Sequence, residues 1–282
     1  MTFSTSKCFS ILGRTSSRWG KTFLASACAM SLFPAVLFSE GIAVRQREGV
    51  GHGFLAFRNS EGRLLAVAEQ SQTVHGDRVD IQLRFRFKDG SIYEEVTSFS
   101  QGQTFRLLKN HVVEKGPAFK HPMESWVDTA SREVKVQYTD DKGKEKVVSE
   151  VMDLPTDLAN GMVSILLKNL DPDVPRATVP MLAMGPKPRV VKLVITSQGE
   201  DAFSVGGFAH KAKHYVINVE IGGVAGVVAP LTGKQPPPRH FWIYGREVPT
   251  MVKFEGPLCE DCPVGQLVPT GPNWPSDRRS GS

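Results

Sequence analysis

Cysteine is scarce, with four in 282 residues, and two of these, Cys8 and Cys28, fall in an N-terminal stretch unlike the rest. Only Cys259 and Cys262 lie beyond it, so the fold is not a disulfide framework. The roughly 239 residues after position 43 are enough for a hydrophobic core of their own. The commonest local hydrolase signatures, a Gly-x-Ser-x-Gly elbow or a His-Glu-x-x-His helix, are missing, which does not remove a dispersed active site. No basic stripe with interleaved aromatics occurs, because Lys and Arg are mixed with Asp and Glu throughout; this excludes a nucleic-acid footprint. The chain has no second cysteine pair and no histidine close enough to complete a zinc site at Cys259-x-x-Cys262, so no metal is expected and the pair is read as a small local disulfide. Gly222-Gly223-Val224-Ala225-Gly226 runs into another β-like segment rather than a helix N-terminus, and no cofactor is expected there or elsewhere.

What is present begins with Lys7, Arg14, Arg18 and Lys21 ahead of a 17-residue apolar run from Thr22 to Phe38. Gly41 and Ala43 then sit at the minus-three and minus-one positions of a cut after Ala43. This is the layout of a secretory signal, and the run is at the short end of the ~17 to 25 residues that span hydrocarbon. Residues 1–43 are therefore expected to be a signal peptide or, if retained, a membrane anchor. The protein is expected to be exported, periplasmic or secreted, with membrane contact only through residues 22–38 if they are uncleaved. Removing residues 1–43, which hold those four basic residues and Glu40, lowers the formal charge from +5 to +2. The basic balance of the chain is largely a property of its start.

From Val79 to Lys88 the chain alternates without a slip: Val79, Ile81, Leu83, Phe85 and Phe87 share one side, and charged or polar residues share the other. That period of two is a strand with one buried face, and Asp89-Gly90 turns it into a hairpin with Ser91 to Phe99. Similar strands are expected over Phe54 to Arg58, Leu64 to Val74, Thr104 to Val113, Glu124 to Asp128, Glu133 to Tyr138 and Lys144 to Met152. Others follow over Thr178 to Ala183, Arg189 to Thr196, Lys213 to Ile221, Val224 to Ala229, Phe241 to Tyr244 and Met251 to Phe254, with turns at Gly206-Gly207 and Gly222-Gly223. One helix is expected, from Leu158 to Leu170, with Leu158, Met162, Ile165 and Leu166 on one side, ending at Asp171-Pro172. A lone amphipathic helix among about fourteen strands cannot form a layer of its own. The expected fold is mainly β: an antiparallel, strongly curved sheet or partly closed barrel over residues 44–257, with the helix packed on its concave face. Residues 258–282 read as a Pro/Gly-rich tail.

Several segments carry a likeness: His52-Gly53-Phe54-Leu55, the run from Phe87-Lys88-Asp89-Gly90-Ser91 to Phe99-Ser100-Gln101, Lys115-Gly116-Pro117-Ala118-Phe119, Asp157-Leu158-Ala159-Asn160-Gly161-Met162, and Glu220-Ile221-Gly222-Gly223 to Ala229-Pro230-Leu231. Across most of residues 50 to 257 the chain resembles a family of exported bacterial proteins of unknown function. The resemblance implies an architecture similar to the half-barrel of the periplasmic lipoprotein carriers LolA and LolB, and it implies no catalytic residues. It also implies a final aromatic-bearing strand after Glu255-Gly256-Pro257, where this chain instead reads Leu258-Cys259-Glu260-Asp261-Cys262-Pro263.

A half-open barrel lined by large side chains can leave an apolar groove, and the expected lining is Phe54, Ile81, Leu83, Phe85, Phe87, Trp126 and Ile165. His210 and His214 lie on a strand about 13 Å apart, too far to share a metal, and His52, His75, His111, His121 and His240 are scattered singly. Adjacent carboxylates such as Glu94 and Glu95 point to opposite faces and do not form an acid/base pair. The preferred function is non-enzymatic binding of a hydrophobic small molecule, a lipid, or a lipid-bearing partner in the cell envelope. Two alternatives stand beside it: an assembly module that binds another envelope protein through a sheet edge or the cysteine tail, and a hydrolase with a dispersed site.

Overall fold

A computed structural model describes residues 41–171, 173–205, 208–220, 236–245, 247–259 and 262–270. These residues build one antiparallel sheet of fourteen strands and one helix. In chain order the strands are β1 Gly51–Arg58, β2 Leu64–His75, β3 Arg78–Phe87, β4 Ile92–Gln101, β5 Phe105–Lys115, β6 Met123–Asp128, β7 Glu133–Thr139 and β8 Glu145–Val151. After α1 Val163–Asn169 come β9 Arg176–Ala183, β10 Arg189–Val205, β11 Phe208–Glu220, β12 Arg239–Tyr244, β13 Thr250–Pro257 and β14 Val264–Thr270. Their order across the sheet is β8-β7-β6-β5-β4-β3-β2-β1-β14-β13-β12-β11-β10-β9. Two meanders are thus joined at the centre by β1 and β14, while β8 and β9 are the edges.

The alternation seen in β3 sets the phase of the whole sheet. Phe85 pairs with Ala68 and Tyr93, and Phe87 with Ala66, which carries the buried phase to Leu55 and Phe57 on β1. The large rings interlock across strands, with Phe57 edge-on to Phe85 at 6.2 Å and Phe85 edge-on to Tyr93 at 5.7 Å, the packing that aromatic quadrupoles favour. The concave face of this curved, open sheet holds the core, and Leu158, Met162, Ile165, Leu166 and Leu167 from the connection between β8 and β9 are buried in it.

Two expectations are corrected here. The helix spans only Val163–Asn169. Leu158 and Met162 are buried as expected, but residues 158–162 are irregular chain and turn and not helix, because Gly161 takes a positive φ of +67° and Asn160 is spent on the sheet. Asn160 Nδ2 donates to Leu182 O at 2.9 Å and its Oδ1 accepts Leu182 N at 2.8 Å. With Ala159 N on Pro180 O, this covers the β9 edge with backbone-like pairing. The second correction concerns the tail: β14 pairs with both β1 and β13, so the sheet domain runs on past 257 to Thr270. Gly265 is required at its start, since a Cβ there would come within 2.6 Å of the Phe57 ring.

The expected start of the domain also moves. Ile42 is in the core, Phe105 N donates to Ile42 O, and Ala43 forms a bridge with Thr104. The segment that follows is tied down by buried amides: Asn169 Oδ1 accepts Arg45 N and Gln46 N, and Gln101 Oε1 accepts Glu48 N. Lys168 Nζ lies 2.5 Å from Glu48 Oε1, both largely buried. The apolar run of residues 22–38, the expected strand over Val224 to Ala229, the Gly206-Gly207 and Gly222-Gly223 turns and residues 271–282 lie outside the described residues. Among the described residues no helix is long and apolar enough to cross a membrane.

Candidate functional site

Four connections converge at one end of the sheet. The β1–β2 turn is shaped by Asn59, whose Oδ1 accepts the Arg63 N–H at 2.9 Å, and by Gly62 at φ +78°. In the β3–β4 turn, Asp89 Oδ1 accepts the Ser91 N–H at 2.9 Å, which holds the Asp89 carboxyl below its ordinary range. Ser91 Oγ in turn accepts Ala118 N at 2.8 Å, and the β5–β6 connection approaches so closely that a Cβ on Gly116 would lie 2.7 Å from Ser91 Cα. The fourth connection, between β13 and β14, is closed by a disulfide joining Cys259 and Cys262, with Cα atoms 5.0 Å apart.

Between these turns lies a cleft of about 340 Å³, within the ~300 to 1,000 Å³ of small-molecule pockets. Phe57, Leu65, Phe87, Ala118 and Leu258 form its apolar wall, and Arg63, Lys88 and Asp89 stand at its rim. Phe119 packs edge-on behind Phe87 at 5.6 Å. A second, polar cleft of about 600 Å³ includes Gly41, Asp77, Gly102, Thr104 and Asp157; burial pushes the Asp157 carboxyl upward.

Of the expected lining, Ile81, Leu83, Phe85, Phe87 and Ile165 are on or packed against the core, but only Phe87 borders the apolar cleft. Phe54 and Trp126 are corrected to the outer face. Phe54 sits edge-on to His52 at 4.9 Å, and its neighbour Leu55 points inward instead. Trp126 stacks on His111 at 5.0 Å with Lys135 Nζ 4.9 Å from its ring, while Ser125 and Val127 are buried. Leu65, Ala118 and Leu258 were not expected. Their only sequence signal is apolarity beside a turn, which does not reveal that three separate turns meet.

Histidines far apart in sequence find partners in the sheet. His214 Nδ1 lies 3.0 Å from Asp201 and its Nε2 lies 2.9 Å from His240 Nδ1, while Trp242 Nε1 also donates to Asp201 at 2.9 Å. Partial burial lowers the basicity of His214 despite that carboxylate. This group, like His52 with Glu69 and His111 with Glu124, is on the outer face, and none of these pairs borders either cleft. Among the described residues no group of three or more His, Cys, Asp or Glu is placed to hold a metal. On the concave face Glu95 accepts Asn110 Nδ2 at 2.9 Å and the Tyr93 hydroxyl at 3.2 Å. Burial raises its carboxyl above the usual range.

No family model and no curated protein matches the chain. A solved structure, the crystal structure of a beta-barrel-like protein of the domain of unknown function DUF1849 from Brucella abortus, aligns with a TM-score of 0.41 and 11% identity. The alignment covers 80% of this chain and 98% of that one.

Proposed function

We propose that the protein is an exported, non-catalytic binder of a single-chain anionic amphiphile such as a fatty acid, working in the periplasm, outside the cell, or from a retained 22–38 anchor. One observation carries this reading: an apolar cleft opens at this end of the sheet with two cations, Lys88 and the Glu61-paired Arg63, at its rim beside Asp89. An acyl chain placed against Phe57, Leu65, Phe87 and Leu258 would remove apolar surface from water at about 25 cal/mol per Å². Its carboxylate would meet Lys88 and Arg63 at the surface, where each ion pair adds at most about 1 kcal/mol. Binding strength therefore comes from the tail and orientation from the head.

Titration of the full chain with the fluorescent fatty acid cis-parinaric acid tests this. Saturable uptake near one per chain is expected, abolished by Ala118→Trp, which fills the cleft, and weakened severalfold by Lys88→Glu, an exposed change that leaves the fold intact. Absence of saturable uptake, or uptake indifferent to both substitutions, refutes the proposal.

A further inference from the structure

The two edges of the sheet are treated differently. Ala159 and Asn160 cover β9, whereas among the described residues nothing pairs with the outer side of β8. An uncovered strand edge is a template for another strand, and β8 presents two exposed valines with it, Val147 at 59% and Val151 at 68%.

The register with β7 tells which backbone groups are available. It runs from Thr139 opposite Glu145 to Glu133 opposite Val151, and it is bracketed by hydrogen bonds from Asp140 N to Lys144 O and from Met152 N to Arg132 O. Hydrogen-bonded pairs alternate in an antiparallel ladder. Lys146, Val148 and Glu150 therefore use their N–H and C=O groups on β7, and Glu145, Val147, Ser149 and Val151 turn theirs outward.

We infer that β8 pairs with β8 of a second copy of this chain, antiparallel about a two-fold axis at Val148. In that register Val147 meets the partner's Ser149, and Glu145 meets the partner's Val151, so every outward-facing residue is hydrogen-bonded to an outward-facing residue. Val148 faces its own copy in a close pair without hydrogen bonds. Lys146 faces the partner's Glu150, and Glu150 the partner's Lys146, giving two opposite-charge pairs at the closest cross-strand spacing. Val147 and the partner's Val151 become diagonal neighbours on the convex face. Moving the axis by one residue keeps the ladder in phase, but at Ser149 it sets Glu150 opposite Val148, and at Val147 it sets Glu150 opposite Lys144, outside the strand, and Lys146 opposite Val148; only the Val148 axis holds both charge pairs within β8. The contact is isologous, as two-fold dimers are, and a single strand pair predicts a weak dimer, roughly micromolar.

Sedimentation velocity of the full chain in detergent, with Cys8 and Cys28 changed to Ser, is the test. A monomer–dimer equilibrium is expected. Glu150→Lys, which sets like charges against each other twice, should weaken it about tenfold or more, and Lys146→Glu combined with Glu150→Lys should restore it. Val148→Cys should give an oxidised covalent dimer. Ser149→Pro, which removes an outward N–H and none of the β7 ladder, should abolish association. A chain monomeric at all concentrations, or association unchanged by Glu150→Lys and by Ser149→Pro, overturns the inference; in that event the edge charges keep copies apart.

Discussion

Gly161→Ala is the sharpest probe of how the chain between β8 and β9 enters the concave face. Gly161 has φ +67°, a conformation that costs a residue with a Cβ about 1 to 2 kcal/mol. The added methyl would fall onto the Thr97 hydroxyl and within 2.9 Å of Thr97 Cβ and Cγ2. Thr97 is buried in β4 and its Oγ1 accepts Asn110 Nδ2 at 3.0 Å, so it cannot withdraw without loosening the amide that also serves Glu95. Overpacking of this kind costs about 1 to 3 kcal/mol. The sum, about 2 to 5 kcal/mol, is a large part of the roughly 5 to 15 kcal/mol of a typical domain. At ~2 to 4 °C per kcal/mol for a domain of this size, the thermal midpoint should fall by about 4 to 20 °C. Thr97→Ala should recover part of the loss in the double variant, a coupling that denaturant melts of the four species resolve. An unchanged midpoint in Gly161→Ala would refute the close approach of this turn to β4.

Glu95 supplies a pH signature. Burial raises its carboxyl, so the folded chain holds this proton to higher pH than the unfolded chain does, and ionisation costs stability as pH rises above the ordinary carboxylate range. Glu95→Gln should therefore stabilise the protein at pH 7, with the advantage shrinking toward pH 4; urea melts showing the same difference at both values would contradict this. Asn160→Ala leaves the N–H and C=O of Leu182 without their partners on the β9 edge, at a cost of about 2 kcal/mol. Hydrogen exchange should rise at Leu182 while β3 amides change only with global stability, and unchanged protection at Leu182 would show that Asn160 does not seal that edge.

The parts of the fold that were legible were those where polarity alternates. In β3 every second residue is charged or polar, so period and phase were both visible, and its neighbours inherited the phase through turns with clear chemistry. Phe54 was misplaced because Phe54, Leu55, Ala56 and Phe57 are apolar in succession, leaving the run without a phase until its pairing with Ala66 and Ala68 sets it. Trp126 lies on the outer face because β6 turns its smaller neighbours inward: Ser125 and Val127 are buried, and ring size alone does not reveal that phase. The resemblance implies a closing strand, but β14 is not legible in its own residues: Val264-Gly265-Gln266-Leu267-Val268-Pro269 has neither alternation nor β-branched density and no aromatic, and its strand character comes from the two neighbours that flank it. The helix is shorter than its apolar spacing, which continues back to Leu158, because Asn160 and Gly161 answer to β9 and Thr97. The apolar cleft was legible only as a possibility of the architecture, since its wall comes from turns up to about 200 residues apart.

The position of β14 also sets a schedule for folding. Its residues Val264 to Thr270 are the last described, yet they lie at the middle of the sheet, with Phe54 opposite Thr270. Until that strand arrives, each meander has an open inner edge, β1 on one side and β13 on the other. Joining them requires closing a loop of more than two hundred residues, and such non-local closure is slow. Each half can collapse locally, but the continuous sheet cannot form before the final strand is in place. Until then the inner edges of β1 and β13 are open to strand-swapping with a second copy, in addition to the β8 rim.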